Sequence, residues 1–549
     1  MIGTVAETTG EVDCGRDPRS APIRVRGRLG GTTIQPLTVG VPWPKGALAK
    51  ATGLKLTDES GADLPVQAEA LSHWSDGSVK WLLVDTLLSC PDQSQRTLRL
   101  SIVDEAAGHE AREAFAPMRV EQAADEFVVH TGVATYRVDR RRLALEATRT
   151  LLAGCVAGPV LDCVFRDASG RRRSPFVRRS LVETAGPVRT TLVLEGTIRR
   201  ARGLRFRCRL CFFAGTDLVR LRFTLHNPNR AEHRGGLWDL GDAGSVLFRG
   251  LSLVVHAGPD RARAIWTVEP DQPQQQADDG YAEIYQDSSG GENWRSPNHA
   301  NREGRVPCRL RGYEVRTSSS TASGLRASPV MGLLDGDQAV VAAIPEFWQE
   351  FPKLLAAEPG ALRLGLFPEE WDDLHELQGG EQKTHTVWLR FGDAGEATLG
   401  SLAWVHSPLR AAADPRWIAR CGVVSPFVQA DDMPDARLPT LLGGAVRGDE
   451  SLFARRETID EYGWRNYGEI YADHEAAYYQ GPKPIVSHYN NQYDVVYGAL
   501  LQFWRTGDRR WFDLLDPLAR HVVDIDIYHT TRDRAAYSGG LFWHTDHYR

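Results

Sequence analysis

Imidazoles, phenols, amides and carboxylates crowd the last quarter of this 549-residue chain. Eleven of its 15 tyrosines lie there, beside His474, His488, His544 and His547. Three stretches carry them. The first is Gly463-Trp464-Arg465-Asn466-Tyr467-Gly468-Glu469 with Tyr471-Ala472-Asp473-His474-Glu475. The second is Ser487-His488-Tyr489-Asn490-Asn491-Gln492-Tyr493-Asp494. The third is Leu541-Phe542-Trp543-His544-Thr545-Asp546-His547-Tyr548-Arg549. Each is too polar for a core and too aromatic for an ordinary solvated loop. The mixture suits a cleft that grips a sugar, with aromatic faces on its C–H surface and amides, imidazoles and carboxylates on its hydroxyls.

Something must position these groups, and the chain is long enough for about three domains. With 42% hydrophobic and 25% charged residues, packed globular structure is expected. A net charge of −6 gives no reason to expect nucleic acid. No apolar run of the ~20 residues needed to cross a membrane is present, and no signal peptide is visible over Met1 to Ala21, so a cytoplasmic address is expected. The eight cysteines are too scattered for a disulfide framework or a zinc site. Cys208 and Cys211 have C-x-x-C spacing, but three residues along a strand places them on opposite faces.

Short strands between Gly, Pro, Asp and Ser turns fill residues 22–105, a pattern for a small barrel or sandwich. Asp76-Gly77, inside Trp74-Ser75-Asp76-Gly77-Ser78-Val79-Lys80-Trp81, signals a tight turn. Strict alternation over 204–212 and 219–225 marks a hairpin with one buried and one wet face. Length and strand number favour a large antiparallel sandwich over 118–405. Gln272 to Gln276 reads as solvated loop, and Gly290 to His299 as a long polar loop of the kind that carries function. Near 406 the period changes. Val496, Ala499, Leu500 and Phe503, then Trp511, Leu514, Leu515, Leu518, Val522 and Ile525, follow helical spacing across a Thr506-Gly507-Asp508 break.

In this order the pieces resemble the exo-rhamnogalacturonan lyase type of polysaccharide lyase family 26. The matching residues are Trp74 to Trp81, then Leu377-Gln378-Gly379-Gly380-Glu381-Gln382-Lys383-Thr384-His385, then the three aromatic stretches. The resemblance implies a multidomain chain, β then α: a small RIFT-like β-barrel (1–117), a large antiparallel β-sandwich (118–405) and a partial α/α toroid (406–549). It also implies truncation within the toroid, because the remaining residues suffice for about three helical hairpins.

The activity so implied is β-elimination in a uronate-containing pectic oligosaccharide, the expected partner. The uronate carboxylate must be neutralised, a base must take the C5 proton, and an acid must protonate the leaving oxygen. His488 and Tyr489 precede a helix expected near Gln492, whose N-terminus favours an anion. Either is a candidate base or acid, with Asn490 and Asn491 on the carboxylate or hydroxyls; alternatively these amides cap the helix. His544, His547 and Tyr548 are candidates for the second proton transfer, with Trp543 and His474 as sugar contacts. Arg465 is a candidate neutraliser beside Trp464 and Tyr467 as stacking rings, or else an ion-pair partner of Glu469. Lys383, two residues from His385 on a strand, is a candidate carboxylate clamp, or part of a solvated face or salt bridge. Trp294 and Arg295 are placed to reach over the cleft from their loop. No cofactor is expected; a divalent metal such as calcium stays open, although no further ligand accompanies His-x-Asp-His at 544–547 with fitting spacing. Two other readings remain: a glycoside hydrolase using a carboxylate pair in the same cleft, and a non-catalytic carbohydrate-binding protein.

Overall fold

A computed structural model describes residues 17–27, 31–90, 95–103, 118–149, 160–232, 240–257, 262–395, 399–433, 435, 437–471, 486, 488–489, 491 and 493–541. The chain divides into two compact units. The first comprises Met1–Phe115, Leu409–Ala436 and Gln502–Asp508; the second comprises the rest.

In the first unit a five-stranded and a three-stranded antiparallel sheet share one apolar core. Within the smaller sheet, Gly31–Pro42 pairs with Val79–Cys90, which pairs with Gln67–His73. The expected tight turn is present: Gly77 has φ 84°, Trp74 N–H donates to Ser78 O (2.8 Å), and Asp76 Oδ1 accepts from Ser78 N–H (3.0 Å). One strand of the larger sheet comes from far along the chain. Arg410–Ala413 pairs with Ser20–Arg26, Ile23 facing Ala413. A short helix, Pro415–Cys421, follows, with Asp414 as N-cap, proline at its start and Gly422 at φ 64° as its stop. Trp417 meets Trp43 edge-on at 5.5 Å and donates Nε1–H to Pro42 O (2.7 Å). Residues 409–436, which the sequence assigns to the helical segment, thus complete the first unit. They supply a missing sheet edge and a tryptophan for its core.

The second unit is a sandwich of a thirteen-stranded and a nine-stranded antiparallel sheet over one core, counted among the described residues. The alternating hairpin is its clearest element. Arg205–Phe213 pairs with Leu218–His226 so that Phe206 faces Leu225, Cys208 faces Phe223 and Leu210 faces Leu221. The wet face closes toward the turn, where Cys211 and Phe213 are buried. Phe213 stacks on Trp388 at 5.8 Å, and the Arg220 guanidinium covers both rings. Gln382–Asp393 lies at the centre of the nine-stranded sheet, between Leu218–His226 and Gln338–Ala343.

After residue 437 the described helices are short: Arg437–Gly444, Leu452–Arg456, Gly463–Asn466, Val495–Thr506 and Arg509–His521. The last two flank the expected break, where Gly507 (φ 64°) donates its N–H to Phe503 O. A five-residue π-turn, Val522–Asp526, follows. No described helix is long and apolar enough to cross a membrane.

Candidate functional site

Three loops of the second unit meet, two through backbone hydrogen bonds and the third through its side chains. Gly463 N–H donates to Gln349 O (2.7 Å) and Trp464 N–H to Phe351 O (2.9 Å), which clips segment 460–466 to the turn before strand Lys353–Glu358. Gly463 sits at φ 89°, and Asp460 at φ 59° in the left-handed region that a non-glycine residue seldom adopts. The third loop, 287–312, is fixed by its own buried polar groups. Asp287 accepts from the Arg309 and Leu310 N–H groups (2.5 and 2.8 Å) and from Tyr285 OH (2.8 Å). Its single helical turn, Pro297–His299, is capped by Ser296.

That turn delivers His299. Its Nε2 lies 2.7 Å from Asp460 Oδ2, and Ser289 Oγ donates to Asp460 Oδ1 at 2.5 Å. Asp460 is fully buried, and the His299 side chain is 6% exposed. A carboxylate accepts only from an N–H, so the neutral ring beside Asp460 holds its proton on Nε2 and leaves a lone pair on Nδ1; among the described residues no group bonds Nδ1. The serine is no nucleophile in this arrangement, because its hydroxyl is given to Asp460 and accepts Gly291 N–H (3.0 Å). Asn298 Nδ2 donates to Asp460 O (3.2 Å) and reaches Glu461 Oε2 (3.4 Å), while Asn466 Nδ2 holds Asn298 O (3.1 Å).

His299 opens on a cavity of about 90 Å³ that Phe351, Trp371, Tyr462 and Trp464 also line. That is well above the ~10–15 Å³ that a single water requires. Arg302 and Arg465 stand at its wall with Asp373 and Glu376. Arg302 grips Asp373 through both Nη atoms (3.2 and 3.0 Å), and Asn301 Nδ2 adds a bond at 2.7 Å. Burial works against the Asp373 carboxylate, yet these bonds hold it below the usual range. Arg465 donates to Glu376 O (2.5 Å) and Glu381 Oε2 (3.1 Å), with its guanidinium 4.4 Å over Trp464. His375 gives Nε2–H to Pro368 O (2.9 Å), and burial pushes it down to about 4, so it is neutral.

Behind this wall lies a second buried network. Glu461 Oε1 is 3.1 Å from His488 Nδ1. Burial opposes charge on His488, but the Glu461 carboxylate prevails and raises it above the ordinary histidine value. Beyond it, Glu469 and Asp526 face His521.

Trp464 and Arg465 are therefore at the pocket, and Arg465 pairs with Glu381 rather than Glu469. Tyr467 is stacked 6.0 Å from Tyr462, and burial raises its phenol. His488 is buried in the deeper network. Tyr489 is half-buried, its hydroxyl accepting Tyr493 N–H (3.0 Å). Asn491 takes the capping alternative: at φ 49° its Oδ1 accepts Val496 N–H (3.2 Å) at the start of the helix. Lys383 is no open clamp, because its Nζ is buried 2.8 Å from Glu350 Oε1. His385 does share its face, 3.7 Å from the same carboxylate. Trp294 packs beside Cys308, Phe351 and Tyr462, and exposed Arg295 stacks on it at 4.3 Å. His474, Asn490, Trp543, His544, His547 and Tyr548 lie outside the described residues. Sequence reasoning missed His299, Asp460, Ser289 and Trp371. The available signals were the end of the long polar loop for His299 and the Asp460-Glu461-Tyr462 run directly before Gly463.

Comparison with known proteins bears on the first unit. Residues 27–98 match the family model of the PcRGLX-like N-terminal RIFT barrel domain. That match supports the rhamnogalacturonan lyase-like resemblance at the family level, over this domain. A curated relative, the uncharacterized protein YetA of Bacillus subtilis (strain 168), is 26% identical over a segment spanning 34% of this chain and 23% of its own length. Among solved structures, an alpha-mannosidase from Enterococcus faecalis V583 aligns over 72% of this chain and 46% of its own, with 8% identity and a TM-score of 0.38. A galactose mutarotase related enzyme from Lactobacillus acidophilus aligns over 50% of this chain and 97% of its own, with 9% identity and a TM-score of 0.24. At these scores neither likeness bears on function.

Proposed function

We propose that the pocket beside His299 takes a residue of an acidic, pectin-type oligosaccharide and that the protein cleaves the chain there by β-elimination, as a rhamnogalacturonan lyase. The observation that carries this reading is the His299–Asp460 pair (2.7 Å) at the edge of an aromatic-lined cavity. Asp460 fixes the tautomer and orientation of the imidazole and stabilises the charge formed when Nδ1 takes the C5 proton of a uronate; the C4=C5 double bond forms as the C4–O bond breaks, and the leaving oxygen takes its proton from the protonated imidazole or from water. Trp371 and Trp464 cover the apolar face of the sugar. Arg302, with five N–H donors of which Asp373 occupies two, has donors left for the uronate carboxylate. The helices after residue 437 are read as the opening part of the toroid implied by the resemblance.

The test is digestion of rhamnogalacturonan oligosaccharides, followed at the ultraviolet edge for the unsaturated uronate and in parallel for reducing ends. The wild type should generate both. His299→Gln should lower the rate by about 10²–10⁴-fold, the usual share of a general base. Reducing ends without the chromophore would replace the lyase with a hydrolase, and full activity in His299→Gln would remove His299 from the mechanism.

A further inference from the structure

Glu469, His521 and Asp526 form a cluster that the pocket chemistry does not use. We propose that these three residues bind one divalent transition-type cation, of the zinc or manganese class, as a site separate from the sugar pocket. The ligand atoms are already gathered. His521 Nε2 lies 3.3 Å from Glu469 Oε2 and 3.3 Å from Asp526 Oδ1, and the three lie within 4.8 Å of one another. A charge-assisted N–H···O⁻ bond closes to about 2.7–2.9 Å. Ligands at about 2.0–2.1 Å from a tetrahedral ion stand roughly 3.3 Å apart. The two imidazole–carboxylate spacings match edges of such a coordination sphere and are longer than a closed charge-assisted bond. Glu469 and Asp526 are both buried, and a divalent cation would offset the cost of burying two carboxylates side by side. An imidazole nitrogen with two carboxylate oxygens suits zinc or manganese, whereas magnesium and calcium prefer oxygen alone.

The backbone is shaped to bring the three together. Gly468 sits at φ 111°, and a Cβ there would stand 2.2 Å from Pro517 O and 3.0 Å from His521 Cβ. Only glycine lets the turn before Glu469 press onto helix Arg509–His521. The other oxygen of Glu469 accepts Ile470 N–H (2.8 Å), which turns Oε2 toward His521. The helix then runs into the π-turn Val522–Asp526, closed by Ile527 N–H to Val522 O (3.1 Å). The wider turn returns Asp526 to the side of His521, a use of π-turns found at functional sites.

Chelator-stripped protein is titrated with Zn²⁺ by calorimetry and with Co²⁺ as a visible-absorbing stand-in. The wild type should bind one ion per chain and show Co²⁺ bands. Asp526→Asn and Glu469→Gln should each weaken Zn²⁺ binding by at least about 10–100-fold, the loss typical of a disturbed metal shell. The double variant His544→Gln/His547→Gln should bind as the wild type does. Absence of saturable one-to-one binding in the wild type overturns the proposal, whether or not the variants fold, and leaves a proton on His521 as the bridging charge. Loss of binding in the His544/His547 variant alone also overturns it, by moving the ion to the other histidines.

Discussion

Replacing Glu350 by glutamine removes the carboxylate that Lys383, Lys353 and His385 share. Its Oε1 is 2.8 Å from Lys383 Nζ, and its Oε2 lies 3.7 Å from both Lys353 Nζ and His385 Nδ1. All four side chains are buried, and burial already pushes Lys353 down to about 7. In Glu350→Gln the ammonium of Lys383 keeps its burial and loses its hydrogen-bonded partner, with the field of the buried Asp524 carboxylate left to it, which costs up to about 3–5 kcal/mol. Lys383→Met leaves Glu350 with Lys353, so it should cost less, about 1–3 kcal/mol. The double variant should be milder than the sum, with a coupling of about 1 kcal/mol or more. Urea titration at pH 7.5, followed by tryptophan fluorescence, measures all three. The turn also carries Phe351, whose carbonyl holds Trp464, so Glu350→Gln should loosen the pocket wall as well. A cost below about 1 kcal/mol for Glu350→Gln, or additive single costs, would refute this account of the cluster.

Acid should destabilise the second unit. Burial holds His375 at about 4 and His385 at about 3, below the unfolded value near 6.5. The unfolded chain therefore binds more protons between these values. The contribution of these two histidines is fully present above about pH 6.5 and falls by about 1.4 kcal/mol per pH unit for each as pH drops toward 4; a flat profile of melting midpoint over that window would contradict it. Gly380→Ala should be severe, because Gly380 sits at φ 82° and a Cβ would meet the Tyr528 ring at 2.2 Å. Gly336→Ala, at φ 56° with nothing within 4 Å, should cost only about 1 kcal/mol. Equal midpoint losses in the two variants would show that the ring contact carries no weight.

The hairpin at 205–226 and the helices at 495–521 were legible because their periodicity is local and long. Arg410–Ala413 was not. Four residues carry no period, and the strand exists only by pairing with Ser20–Arg26. The Gly379-Gly380-Glu381 motif was visible as a pattern, but its reason is tertiary: Gly380 clears Tyr528, and Glu381 holds Arg465. The aromatic stretch at 463–467 led to the pocket wall, since Trp464 and Arg465 line it. His299 and Asp460 stayed hidden because a lone histidine and a lone aspartate in loops have no spacing to read. Their relation spans 161 positions and appears only when three loops are clipped together. Lys383 misled for a related reason. The alternation gave its face correctly, but whether that face met solvent or Glu350 depended on a turn elsewhere in the chain.

The most direct test pairs Asp460→Asn with rhamnogalacturonan digestion across pH. The substitution keeps the size of the residue and removes the carboxylate that orients His299. The account predicts that unsaturated uronate forms in the wild type and falls by about 10²-fold or more in Asp460→Asn, with a shifted pH profile and little change in KM. Unchanged turnover and pH profile in Asp460→Asn, or no unsaturated product from the wild type, would contradict it.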